Sequence, residues 1–150
     1  MSCYGCENNA RVDELAPRER IVLHGGWRVV HAFNTSLRGW LVLVPLRHIE
    51  RFSELTDDEA AAFAPLARAC SRALEEEVGC AKTYVVVLGE QQGFEHLHAH
   101  VIPRMRDFDE AIKGTGVFSL LDLPEEEWLP EHECDELALA VRRRLRPLLR

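Results

Sequence analysis

The chain has 150 residues, 47% of them hydrophobic and 29% charged, with a formal net charge of −7. That balance suits one folded domain with a real core, read as residues 1–150, and is too acidic for general nucleic-acid binding through phosphate neutralisation. The longest apolar runs are far too short to span a bilayer, so no membrane partner is expected.

The chain opens with MSCYGCENNA, which carries a C-x-x-C at Cys3 and Cys6 but no basic-then-apolar export pattern, and the expected location is cytoplasmic. Five cysteines, an odd number, without such a pattern argue against a disulfide framework. Cys70, Cys80 and Cys134 read as small buried residues. Residues 20–33, RIVLHGGWRVVHAF, read as two strands around a Gly25-Gly26 turn. GWLVLVP, residues 39–45, is a buried strand that Pro45 ends, because proline cannot donate to a sheet ladder.

From Thr56 to Gly79 the pattern is helical. Thr56 and Glu59 form a capping box, Asp57 and Asp58 suit the positive end of the dipole, and Phe63, Leu66, Cys70 and Leu74 recur on one face. Pro65 is expected to bend the first turns, and Gly79 to stop the helix. AKTYVVVLG is a further strand, GEQQG a turn, and FEHLHAHVIP the strand paired with it. Residues 104–130 read as a looser region, and Glu131 to about Leu149 as a helix with Leu137, Val141, Leu145 and Leu148 on one face. Strands outnumber helices and short turns join them, which predicts an α+β fold: an antiparallel sheet of about five strands with a long helix and a C-terminal helix packed on one side.

Within EHLHAHVIPR, three of the seven histidines fall at alternate positions, His96, His98 and His100. Side chains of a strand alternate between faces, so these three share one face, and Leu97, Ala99 and Val101 the other. A helix would turn them apart by about 200° per two residues. Two chemistries fit. Histidines at i and i+2 can share a catalytic zinc. Alternatively one imidazole, whose ordinary pKa of about 6.5 leaves it largely neutral and basic, attacks phosphorus and forms a phosphoramidate that water later opens.

HLHAHVI resembles the His-φ-His-φ-His-φ-φ signature of the histidine triad (HIT) family, φ being apolar. GWLVLVPLRHIERFSELTDDE is similar to that family's upstream segment, a strand ending in Pro-x-x-His-Ile before an acidic-capped helix. The resemblance spans roughly residues 20 to 105. It implies a HIT-like fold, a homodimer, and cleavage at the α-phosphate of a nucleotide, either a dinucleoside polyphosphate or a nucleoside phosphoramidate. His98 would be the nucleophile that carries the nucleotidyl group, His100 would hold the phosphate oxygens and manage protons, and His96 would complete the triad. Asn34 would meet the ribose hydroxyls, with Gln92 and Gly93 beside the phosphate. His100 at the third position, rather than the glutamine of the transferases, leans towards hydrolysis.

The resemblance also extends to a uridylyltransferase branch and bacterial members with an N-terminal C-x-x-C. From it, Cys3, Cys6, His48 and His96 are expected to hold a structural zinc; no redox cofactor is expected. Two departures stand out: Gly93 replaces a frequent Ser or Thr, and Trp40 a frequent histidine. Two alternatives remain at this stage, a nucleotide-binding regulatory protein with little turnover and a hydrolase using the comb as a catalytic zinc site.

Overall fold

The computed structural model describes residues 3–149. Two consecutive glycines join the first two strands of the sheet. Strand β1 (Val22–His24) pairs antiparallel with β2 (Trp27–His31), and Gly25 and Gly26 turn the chain between them at φ 57° and 85°. Two successive positive φ values make the tight turn whose twist matches the strands. A Cβ on Gly25 would also lie 2.3 Å from that of Ala62.

Strand β3 (Leu41–Pro45) follows, then helix α2 (Asp57–Val78), strands β4 (Lys82–Leu88) and β5 (His98–Arg104), and helix α3 (Glu131–Leu148). A short helix α1 (Tyr4–Ala10) precedes them all. The five strands form one antiparallel sheet in the order β1-β2-β3-β5-β4, so the expected architecture is present. No helix among the described residues is long and apolar enough to cross a membrane.

The period of two divides the sheet's faces. Trp27, Val29, Leu41, Leu43, Ala99 and Val101 pack against Leu66, Cys70 and Leu74 of α2 and Leu137, Val141 and Leu145 of α3. Each buried leucine or valine among them contributes roughly 1.5–3 kcal/mol by leaving water. Both helices therefore cover one face. Cys70, Cys80 and Cys134 are buried and unbonded, as read from the sequence, whereas Leu148 stays partly exposed at the helix end.

Helix α2 runs through Pro65 without interruption. Pro65 and Ala61, whose carbonyl loses its partner to the proline, are both exposed, on the side of the helix where water can reach that carbonyl. The capping box forms as expected, and Gly79 ends the helix at φ 69°.

Glu59 does more than cap. Arg47 donates to its carboxylate at 2.7 and 2.9 Å and the Thr56 amide at 2.9 Å. The Arg47 hydrogen bonds, with the Thr56 amide, hold the Glu59 carboxyl down at about 2. A value depressed below the unfolded one, about 4.3, gives stability that is complete above that pH and lost as pH falls through about 2. Arg47 is half exposed, which screens the pair. Glu59→Gln is therefore expected to cost about 1 kcal/mol in urea unfolding at pH 7, and the gap to wild type to shrink from pH 4 downwards.

The opposite face of the sheet is covered differently. Residues 104–130, read as a looser region, form a 3-10 stretch at Gly114–Leu120 and another at Glu125–Glu127. Val117, Phe118, Leu120 and Leu121 pack there with Trp40, Val30, Val42 and Ile102 in a second core. A bridge from Thr35 to Leu121 ties the segment down. Its apolar residues Val117, Leu120 and Leu121 keep helical spacing for little more than one turn, too short a run to be read as an element.

Candidate functional site

The comb lies on this second face, under the 104–130 segment. Strand β5 starts at His98 rather than at Phe94. Leu97 donates instead to the Ile49 carbonyl at 2.7 Å, drawing the chain towards the end of β3, and His96 sits in a bend. Leu97, Ala99 and Val101 are buried as the alternation requires. His98 and His100 present their rings on the other side, with centroids 5.0 Å apart.

Each imidazole has a distinct environment. His98 Nδ1 lies 2.8 Å from the His96 carbonyl oxygen. A carbonyl can only accept, so Nδ1 carries the proton and Nε2 keeps its lone pair. His100 is buried, and the Trp40 indole Nε1–H donates to its Nδ1 at 2.9 Å. Burial pushes the His100 pKa down to about 3, with His98 adding to the effect. His96 has both nitrogens engaged: Nε2 lies 2.7 Å from the Pro45 carbonyl and Nδ1 faces the thiols of Cys3 and Cys6.

Those thiols form the second part of the site. Cys3 Sγ lies 3.5 Å from Nδ1 of both His48 and His96, Cys6 Sγ lies 3.2 and 3.5 Å from the same atoms, and the two imidazole nitrogens are 3.3 Å apart. A tetrahedral zinc with bonds of about 2.3 Å to sulfur and 2.0 Å to nitrogen spaces its ligands by about 3.3–3.7 Å. The donor set thus fits one ion. The Pro45 carbonyl fixes the His96 tautomer with Nδ1 turned to the thiols, the outer support a metal-binding histidine usually has. Gly5 admits the approach, because a Cβ there would lie 3.0 Å from His96 Cγ. Burial and the neighbouring Cys3 push the Cys6 thiol up to about 11, a preference that a divalent cation reverses. Among the described residues this is the one group of side chains placed to hold a metal; His98 and His100 are outside it.

Two cavities meet at His98 and His100. The smaller, of about 100 Å³, is framed by Tyr4, Phe33 and Phe94, with Asn34 at its edge. Tyr4 lies 5.6 Å from Phe33 and 5.2 Å from Phe94, centroid to centroid, and Trp128 packs edge-on against Phe33. At its floor Arg28 is fully buried, donating to Asn9 Oδ1 at 2.7 Å and the Glu19 carbonyl at 2.6 Å. The larger cavity, of about 720 Å³, has Glu50, Glu90 and Asp122 in its walls with Phe52, Leu88 and Phe118, and no Lys or Arg among the described residues.

Of the residues expected near substrate, Asn34 is at the smaller cavity, donating to Asp122 Oδ1 at 2.8 Å. Gln92 and Gly93 are exposed in the turn and line neither cavity. Gln91 lines both and donates to Asp122 Oδ2 at 3.0 Å. The turn closes through the Phe94 amide on the Gln91 carbonyl, with Gly93 at φ 84°. Tyr4, Phe33, Phe94 and Asp122 were not singled out from the sequence. Only Asp122 has a special backbone, at φ 58°, and no local residue pattern announces it.

A family model described as HIT domain matches residues 17–107. Among solved structures, a zinc-bound histidine triad family protein from Mycobacterium smegmatis is 20% identical and superposes with a TM-score of 0.67, over 99% of this chain and 96% of that one. A histidine triad protein from Bradyrhizobium japonicum is 22% identical at a TM-score of 0.69, over 91% and 95% of the two chains. A hypothetical histidine triad nucleotide-binding protein from Sulfolobus tokodaii is 16% identical at 0.70, over 97% and 93%. At these identities the likeness is one of fold. No curated protein matches the chain.

Proposed function

The chain belongs to the HIT family, and from that premise we propose that it hydrolyses nucleotides at the α-phosphate through His98. One observation carries the reading. The His98 ring stands where the two cavities meet, and its Nδ1–H is spent on the His96 carbonyl, which leaves Nε2 as a free nucleophile.

The first step forms a bond from His98 Nε2 to phosphorus and breaks the bond from phosphorus to the leaving group. That group departs with the electron pair and takes up a proton from solvent. In the second step water attacks phosphorus, the P–N bond breaks, its pair returns to Nε2, and the water proton passes to solvent. The nucleobase would lie among Tyr4, Phe33 and Phe94, whose flat faces suit stacking. Asn34 and Gln91, oriented by Asp122, would meet the ribose and phosphate.

The leaving group would occupy the larger cavity. Its Glu50, Glu90 and Asp122 oppose a polyphosphate and suit an amine, so a nucleoside phosphoramidate is favoured over a dinucleoside polyphosphate. The comb does not close on one catalytic metal in this reading, because the Nδ1 of His96 turns to the thiols, away from the cavities. Cys3, Cys6, His48 and His96 would instead hold a structural zinc, as the fit of the donor set and the zinc-bound mycobacterial relative support. We extend the resemblance to a cytoplasmic homodimer in which residues 1–150 act as one unit.

The test is incubation with a panel of dinucleoside polyphosphates and AMP–amine conjugates, followed by mass spectrometry of the protein. A nucleotidyl mass on the His98 peptide, with faster turnover of the amine conjugates, is expected. Tight nucleotide binding with no adduct and no turnover would sink the hydrolytic reading and leave a regulatory binder.

A further inference from the structure

His98 and His100 are bound at the same ring position by opposite kinds of group. At Nδ1 of His98 stands a carbonyl, which only accepts; at Nδ1 of His100 stands an indole N–H, which only donates. The first contact places the proton on Nδ1 and the second forbids it there. Trp40 has no freedom to adjust. It is wholly buried, its ring crosses that of His100 at 86° with centroids 5.7 Å apart, and Phe118 packs edge-on against both rings.

We propose that Trp40 is a positioning residue that locks His100 in the tautomer with its proton on Nε2, making it a fixed hydrogen-bond donor to the transferred phosphoryl group. Its catalytic part rests on the nucleotide reading above; the tautomer does not. The Nε2 of His100 has no protein partner among the described residues, and its ring lines both cavities, so a phosphoryl oxygen beside His98 can accept from it. A donor already aimed where negative charge builds up needs no reorganisation in the transition state.

The lock also removes chemistry. A second proton on His100 would have to enter at Nδ1, facing the indole N–H across 2.9 Å with no acceptor between them. His100 therefore does not serve as the general base that activates water. Nor does it pass on its Nε2 proton, since that would leave an imidazolate in a buried site. A histidine at position 40 could accept as well as donate; tryptophan can do only one of these.

The experiment is long-range ¹H–¹⁵N correlation NMR of the zinc-loaded full chain at neutral pH, with His100 assigned by comparison with His100→Gln. Wild type is expected to show His100 protonated at Nε2 and bare at Nδ1, with His98 the reverse. In Trp40→Phe, the His100 Nδ1 signal is expected to shift towards the protonated form. kcat should then fall about 10- to 100-fold on an AMP–amine conjugate, with KM changed less than about threefold.

Trp40→His, which can still donate, is expected to recover most of the rate. A His100 proton on Nδ1 in wild type would overturn the proposal, and so would a Trp40→Phe enzyme with unchanged tautomer and kcat. If Trp40→Phe fails to fold, the wild-type spectrum and the Trp40→His rate decide. Turnover and a His98 adduct with the wrong His100 tautomer would defeat this proposal alone. The right tautomer without turnover on any nucleotide would defeat the hydrolytic reading, and with it the catalytic part of this one.

Discussion

His98→Asn is expected to lower kcat on nucleotide substrates by about 10⁴- to 10⁶-fold, leaving nucleotide affinity and unfolding midpoint close to wild type. The size follows from what the substitution removes. Asparagine reproduces a polar group at the Nδ1 position, so the bond to the His96 carbonyl can persist, but it has nothing in place of Nε2. Where a covalent nucleophile is deleted, what survives is the catalysis supplied by binding and charge stabilisation alone, several orders of magnitude below the intact enzyme. His98 is half-buried and outside the main core, so little packing is lost. Single-turnover kinetics with an AMP–amine conjugate and calorimetric nucleotide binding measure the two halves separately. A variant retaining more than about a tenth of the wild-type rate would show that the covalent bond forms elsewhere or not at all.

The same geometry explains what could be read from the sequence. A strand repeats every two residues, so a comb of histidines at alternate positions states its own face, and Leu97, Ala99 and Val101 state the other. The helix from Thr56 to Gly79 was equally open, because capping, periodicity and a left-handed glycine all agree along one local segment. His48 and His96 lie far apart in sequence and meet because β3 pairs with β5 and Leu97 hydrogen-bonds to Ile49. They were grouped with the two cysteines by family resemblance, not by any rule of spacing.

What stayed hidden depends on non-local packing. Gln91 and Gln92 are chemically identical neighbours, and only the sense of a turn decides which one enters the cavities. The cover over the second face is built from 3-10 turns too short to show a sustained period. Tyr4, Phe33 and Phe94 come from three separated segments, and each read alone is an ordinary aromatic residue. Trp40 was visible as a departure, but its meaning required knowing that its indole meets His100.

Removing the metal tests the other half of the site. Protein purified without chelator is expected to hold about one zinc per chain, and Cys3→Ser with Cys6→Ser to hold none. Free zinc at a thousandfold excess over its dissociation constant stabilises the folded chain by about 4 kcal/mol. For a chain of this size that corresponds to about 10 °C in thermal midpoint, the drop expected on chelation. The loss should be confined at first to α1, since the sheet and its two packed helices form a core that includes none of the four ligands. Hydrogen exchange would show it as faster labelling of residues 3–10 and of the segment around His48.

Turnover should fall far less than in His98→Asn, because the partner of His98 is a backbone carbonyl and not one of the four residues proposed to hold zinc. Two routes still lead from the proposed zinc site to the cavities: His96 supplies that carbonyl, and α1 carries Tyr4 into the smaller cavity. A residual activity of about a tenth to a half, measured on the folded fraction below the new midpoint, is therefore the expected signature of a structural ion. Complete loss of turnover with an unchanged thermal midpoint would instead place the metal in the reaction and overturn the division of labour between His96 and His98.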